Sequence, residues 1–179
     1  MPAKMRRVGP PILETPRLRL RPLEASDADA LHAIQSDPEH MRFYPHPFSM
    51  DETRSWIERM RDRYEEVGYG LLAVEDRASG EFLGNVGPVG QRIDGIDEIE
   101  LGWSITPRRA REGIATEAAT ACRGWVFGVL RADHVISLIL PGNTPSSGVA
   151  RKLGMTVWKQ VEWGGLAQIH DVWRVDRER

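Results

Sequence analysis

Leucine alternates with arginine from Arg17 to Arg21, the two-residue period that turns every second side chain to one face, so the first strong signal is a half-buried strand. Ser26 and Asp29 then have the look of a helix start, with Leu31 and Ile34 on the inner face of a short helix. The period breaks in DPEHMRFYPHPF, Asp37 to Phe48, whose three prolines predict a loop. Ser49 and Glu52 have capping-box spacing, and Trp56, Ile57, Met60, Tyr64 and Val67 recur at helical intervals up to Gly68, which predicts a second, amphipathic helix. YGLLAVED and FLGNVGPVG flank the turn residues Ala78-Ser79-Gly80 and predict an antiparallel hairpin.

From Ile99 to Ile105 the apolar residues Ile99, Leu101, Trp103 and Ile105 alternate with Glu100, Gly102 and Ser104, a strand with one packed and one polar, partly bare face. A helix begins after Gly113 and runs through Ala118, Ala121, Cys122, Trp125 and Val129. HVISLIL, His134 to Leu140, is an almost continuous β-branched run suited to a strand covered on both faces. Thr144 as cap, Pro145 at the first helical position and Gly154 just past Leu153 delimit another helix. Two last strands, Thr156 to Trp163 and Gln168 to Val175, are joined at Gly164-Gly165. The order is β-α-α-β-β-β-α-β-α-β-β, a mixed α/β fold with seven strands.

The bulk numbers narrow the class. A chain of 179 residues, 41% of them hydrophobic, is long enough for one core and short for two, so residues 12–179 are expected to form a single domain behind a flexible lead over residues 1–11. A net charge of -2 argues against a nucleic-acid partner. The single cysteine, Cys122, cannot form an internal disulfide; it points to a reduced, cytoplasmic chain and to a small buried hydrophobe. No run approaches the ~20 apolar residues of a membrane span, and the start of the chain lacks a signal-peptide stretch. His46 and His170 have no ligand-like spacing, so no metal site is expected.

One stretch concentrates chemistry. In RRAREGIATEA, Arg108 to Ala118, three arginines run into Gly113-Ile114-Ala115 and a helix start. Unpaired N–H groups and the helix dipole make such a start an anion site where the backbone is uncrowded. Arg108, Arg109 and Arg111 add planar charge able to reach further phosphates. The Gly-Lys-Ser/Thr ending of a P-loop is absent, as is the third glycine of a dinucleotide fingerprint. A solvated arginine run beside a turn glycine is the plain alternative.

ELGWSITPRRAREGIATEA followed by PGNTPSSGVARKLGM resembles the GNAT superfamily of acetyl-CoA-dependent N-acetyltransferases, and within it the branch of the ribosomal-protein N-terminal acetyltransferases; ILETPRLRLRPLEASDADAL is similar to that branch's first strand and helix. The resemblance spans Ile12 to Val175. It implies a mostly antiparallel seven-stranded sheet flanked by helices and splayed between its fourth and fifth strands, where pantetheine adds like a short strand. It implies acetyl-CoA as cofactor, its pyrophosphate on Arg108, Arg109, Ala110, Arg111, Glu112, Gly113, Ile114, Ala115 and Thr116, with Ile105 at the end of the splayed strand and Asn143 on the pantetheine arm. This chain departs at Ala110, where the family places Gln or Arg and the branch an aromatic, and at Arg111, where branch members commonly carry glycine. Members are monomers or dimers.

An amine that attacks a thioester must arrive neutral, and the departing thiolate must be protonated or stabilised, so a base and an acid are expected near the splay. Glu100, on the strand's polar face and in the position of the branch's Glu-[Ile/Leu]-Gly-[Tyr/Trp] motif, is the candidate base, with Glu98 two residues earlier as substitute. Ser146 fits the family's Asn-x-x-Ser spacing as the acid, with Ser147 beside it. Tyr44, His46 and Phe48 from the Pro-rich loop, Glu98, and Trp163, His170 and Trp173 from the last strands are expected to build the pocket for an amine acceptor. The competing reading is a module that binds acyl-CoA and has lost catalysis; a nucleic-acid or structural role ranks behind both. An acidic pocket would favour a polyamine or aminoglycoside acceptor, an open groove a peptide.

Overall fold

In the computed structural model, which describes residues 9–164 and 168–178, the inward leucines of the first alternation, Leu18 and Leu20, are buried while Arg19 faces solvent. A two-residue strand β1 (Leu13–Glu14) pairs antiparallel with theirs, β2 (Leu18–Pro22). The chain continues through α1 (Ala28–Gln35), α2 (Met50–Val67), β3 (Leu72–Asp76), β4 (Phe82–Ile93), β5 (Ile96–Ile105), α3 (Ile114–Trp125), β6 (His134–Ile139), α4 (Thr144–Lys152), β7 (Thr156–Trp163) and β8 (Gln168–Asp176). The strands form one eight-stranded sheet in the order β1-β2-β3-β4-β5-β6-β8-β7, antiparallel at each step except β5 to β6. The expected mixed, mostly antiparallel sheet with flanking helices is present, with β1 added, a strand too short to show a period. Residues 1–8 of the expected lead and Gly165 of the expected glycine joint lie outside the described residues.

Local chemistry sets the element ends. The capping box of α2 forms: the Ser49 hydroxyl accepts from the Glu52 N–H at 3.2 Å, and the Glu52 carboxylate accepts from the Ser49 N–H at 2.7 Å. Two expected caps are displaced by one residue. Asp27, not Ser26, organises the start of α1, since its buried carboxylate accepts from the Glu24 N–H at 2.8 Å and takes both arms of the Arg21 guanidinium, each at 2.8 Å. Asn143, not Thr144, caps α4, its side-chain oxygen accepting from the Ser146 N–H at 3.2 Å. Asp94 and Gly95, both left-handed with φ of 50° and 80°, close a two-residue hairpin between β4 and β5 that the periodicity passed over.

The core lies between the sheet and its helices. Ile57, Met60 and Tyr64 of α2 are buried as expected, and the Tyr64 hydroxyl accepts from the Leu23 N–H at 3.1 Å while donating to the Leu71 carbonyl. Val67, at the helix end, stays exposed instead of completing the apolar stripe. α3 lies against β4 and β5, burying Ala118, Ala119 and Cys122 completely, and burial pushes the Cys122 thiol up to about 12.

Candidate active site

β5 and β6 are parallel neighbours that pair at one register position, Glu100 opposite Ile136. The buried Ser137 hydroxyl adds a tie to the Leu101 carbonyl at 2.8 Å. Beyond it, toward Ile105 and Leu140, the strands part, and a cavity of about 470 Å³ opens between Leu138, Leu140, Asn143 and Ser146 on one side and Glu100, Tyr44 and Trp56 on the other. Parallel pairing with so few bonds yields readily to strand twist, which explains why the gap falls here.

Glu100 stands at the head of the gap. Its carboxylate accepts from the Gln91 side-chain N–H at 2.7 Å and from the Leu138 N–H at 3.4 Å, a β6 donor left free by the parting strands. Burial raises its pKa above the ordinary carboxylate value; the hydrogen bonds from Gln91 and Leu138 and the Arg63 charge oppose the rise without cancelling it. Glu98, on the same side of β5, is absorbed elsewhere: it is buried and bonded to the His134 ring at 2.6 Å, and it does not line the cavity.

The basic stretch forms a short 3-10 turn, Pro107–Arg109, and then the start of α3. The expected arginine charge is only partly available. Arg109 is drawn away by carboxylates, with its Nε 2.8 Å from Glu112 and its Nη1 2.9 Å from Glu81. Arg108 is mostly exposed, 3.8 Å from Glu81. Ala110 is exposed and spends its N–H on the Pro107 carbonyl at 3.1 Å. Arg111 has φ of 65° and Gly113 φ of 79°, so both hold the left-handed conformation. From Gly113 to Thr116 the N–H groups belong to the first helical turn, where no intrahelical carbonyl is within reach.

The left-handed Arg111 explains why glycine suits that place. An L-residue there carries roughly 1–2 kcal/mol of strain, less the about 0.5–1 kcal/mol that glycine's freedom costs the folded state. Arg111→Gly is therefore expected to raise stability by about 0.5–1 kcal/mol, read as a higher midpoint in urea with an unchanged slope.

Behind the turn sits a brace that the sequence did not disclose. Glu117 accepts from the Thr15 hydroxyl at 2.5 Å and from Arg17 Nε at 2.7 Å, while Arg17 Nη1 donates to the Glu112 carbonyl at 3.0 Å. The turn between β1 and β2 thus holds both the helix start and the residue before Gly113. Arg17→Gln is expected to loosen the start of α3, read as hydrogen exchange about three- to tenfold faster at its first-turn amides, roughly 1 kcal/mol.

At the start of α4 the two serines part company. Ser147 turns its hydroxyl back to the Thr144 carbonyl at 3.2 Å, whereas Ser146 lines the cavity. The cap formed by Asn143 fixes the Ser146 backbone and leaves its hydroxyl to the cavity.

Of the expected acceptor residues, Tyr44, Phe48, Trp163 and His170 line the cavity, and Trp163 meets His170 edge-on at 5.5 Å. His46 and Trp173 do not. His46 bonds Glu52 at 2.7 Å on the outside of α2, the main reason that carboxyl sits low, at about 2. Trp173 is three residues from His170 on β8, hence on the opposite face, buried with Arg151 5.3 Å from its ring. The cavity adds residues missed in the sequence: Gln35, Asn85, Gln91, Arg59 and Arg63. For the arginines a signal existed, since Trp56, Arg59, Met60 and Arg63 share one helical face. Among the described residues no cluster of His, Cys, Asp and Glu is placed to hold a metal, and no helix is long and apolar enough to cross a membrane.

A family model described as the acetyltransferase (GNAT) domain matches residues 17–156. The uncharacterized protein YkkB of Bacillus subtilis (strain 168) is 35% identical over 161 residues, which cover 89% of this chain and 94% of that one. Among solved structures, an acetyltransferase from Agrobacterium tumefaciens str. C58 is 28% identical with a TM-score of 0.80, covering 93% of this chain and 95% of its own. A RimL ribosomal-protein α-N-acetyltransferase in complex with coenzyme A shares the fold, with a TM-score of 0.75 at 16% identity over 92% of this chain and 97% of its own.

Proposed function

This chain belongs to the GNAT acetyltransferase family, and from that premise we propose that it moves an acetyl group from acetyl-CoA to a primary amine by direct attack on the thioester. The observation that carries the reading is Glu100: a carboxylate with a raised pKa, set in a cavity where two parallel strands part.

The residues present fit the donor. The N–H groups of Gly113, Ile114, Ala115 and Thr116 suit a pyrophosphate, with Arg108 and Arg111 as outer charge and Arg109 and Glu112 shaping the turn from behind. The β6 edge from Leu138 to Leu140 suits the amides of a pantetheine arm, with Asn143 and Ile105 at its ends. Acetyl-CoA supplies the activated acyl group.

Glu100 takes a proton from the acceptor ammonium and so delivers a neutral amine. The amine nitrogen bonds to the acyl carbon as the carbon–sulfur bond breaks, the nitrogen gives up its surplus proton, and the Ser146 hydroxyl passes one proton on to the sulfur, leaving an amide and a free thiol while Glu100 returns its proton to solvent. Tyr44, whose phenol is neutral at physiological pH and lines the same cavity, is the second group able to carry a proton there.

Thiol release from acetyl-CoA across a broad amine panel tests the reading. Turnover with at least one primary amine is expected. Tight acetyl-CoA binding with no turnover for any amine would place the chain instead among acyl-CoA-binding modules.

A further inference from the structure

The charges that line the cavity are unequal. Besides the His170 ring they are one carboxylate, Glu100, and the guanidinium groups of Arg59 and Arg63. Among the described residues Arg59 rests 5.5 Å from the Trp56 ring, and Arg63 makes one long contact, 3.4 Å to the Gly90 carbonyl. A polyamine or aminoglycoside would bring several ammonium groups against this pair.

Unpaired polar atoms tell the same story. Of the four side-chain atoms buried without a partner among the described residues, three belong to residues that line this cavity, the donors Trp56 Nε1 and Asn85 Nδ2 and the acceptor Gln35 Oε1, and the fourth, Trp173 Nε1, does not. Native interiors rarely leave such groups unmatched, and two donors lining the same cavity as two guanidinium groups ask for oxygen acceptors on the ligand.

The base and the cationic edge are close together. Arg63 reaches Gly90, the neighbour of Gln91, and Gln91 bonds Glu100 at 2.7 Å, so amine and anion sites flank one short piece of β4. Phe43, Tyr44 and Phe48 supply an apolar wall.

We propose that the acceptor is a small zwitterion, an α-amino acid or close analogue with an apolar side chain, its amine at Glu100 and its carboxylate at Arg59 and Arg63. This assignment rests on the acetyl-transfer reading above and names the substrate class for it. A peptide N-terminus offers a neutral carbonyl where the zwitterion offers a carboxylate, and so makes less of the two arginines.

Calorimetry with the CoA-loaded protein tests the assignment without turnover. L-phenylalanine, L-leucine and L-methionine are each compared with their primary amides, alongside spermidine and kanamycin. At least one acid is expected to bind about tenfold or more tighter than its amide, and Arg63→Gln and Arg59→Gln are expected to shrink that preference to about threefold or less. Amides that bind as well as the acids, tighter binding of spermidine or kanamycin, no binding by any amino acid, or a preference untouched in both variants overturns it. Thiol release from acetyl-CoA, measured on the same compounds, separates the two claims. Carboxylate-selective binding without release sinks acetyl transfer alone, and release that favours amides or polyamines sinks this assignment alone.

Discussion

Gly113→Trp is expected to weaken acetyl-CoA binding by about 100-fold or more, because bulk at this position covers the first-turn N–H groups and each hydrogen bond to a charged oxygen is worth about 1.5–3 kcal/mol. The fold should survive. A side chain at φ of 79° costs roughly 1–2 kcal/mol, and the new Cβ would lie 3.6 Å from Arg17 Nη2, an ordinary contact. Gly113→Ala carries the same backbone strain without the bulk, so comparing the two separates strain from blockage. Calorimetry with acetyl-CoA decides the matter: unchanged affinity in the tryptophan variant removes the helix start from the binding site.

Glu100→Gln is expected to lower kcat by about 100-fold or more, the scale of a positioned general base, with acetyl-CoA affinity unchanged. The amide keeps the shape of the carboxylate and loses its proton affinity. In the native protein the rate should fall on the acid side at a pH above the usual carboxylate range, because burial raises the Glu100 pKa. That limb should vanish in the variant. A variant rate equal to the native rate between about pH 6 and 9 sinks the assignment of Glu100 as base.

The same shift carries a stability prediction with a definite sign. Because the folded pKa lies above the unfolded one, the folded state binds more protons between the two values, and stability drops as pH rises through that window. Above it, ionised Glu100 is a burden to the fold. Glu100→Gln should therefore melt no lower than the native protein at neutral pH, and lower activity at equal or higher Tm is the expected pair of results.

Where the fold was legible, the signals were local. The Ser49 and Glu52 box, the Leu18 and Leu20 alternation and the β-branched run at His134 each bind neighbours in the chain to one element. Glu100 and Ser146 could be proposed because each sits in a motif. What stayed hidden depended on partners far along the chain: Arg109 is claimed by Glu81, and Glu98 by His134. Parity separates Trp173 from His170, which stand three residues apart on β8, and Asp94-Gly95 is a hairpin dipeptide; both signals are local and lie in the chain itself. The cationic edge of α2 needed three dimensions, because an arginine on an apolar helix face gains meaning only from the cavity beneath it.

Cys122 does not line the cavity, yet its burial makes it a reporter. A thiol held up to about 12 is almost wholly protonated at neutral pH and screened from reagents. Alkylating agents and oxidised glutathione should leave the native protein unlabelled, so cellular redox poise does not gate this enzyme through its only thiol. Labelling must wait until α3 lifts from β4 and β5, and its rate then clocks the opening of the core.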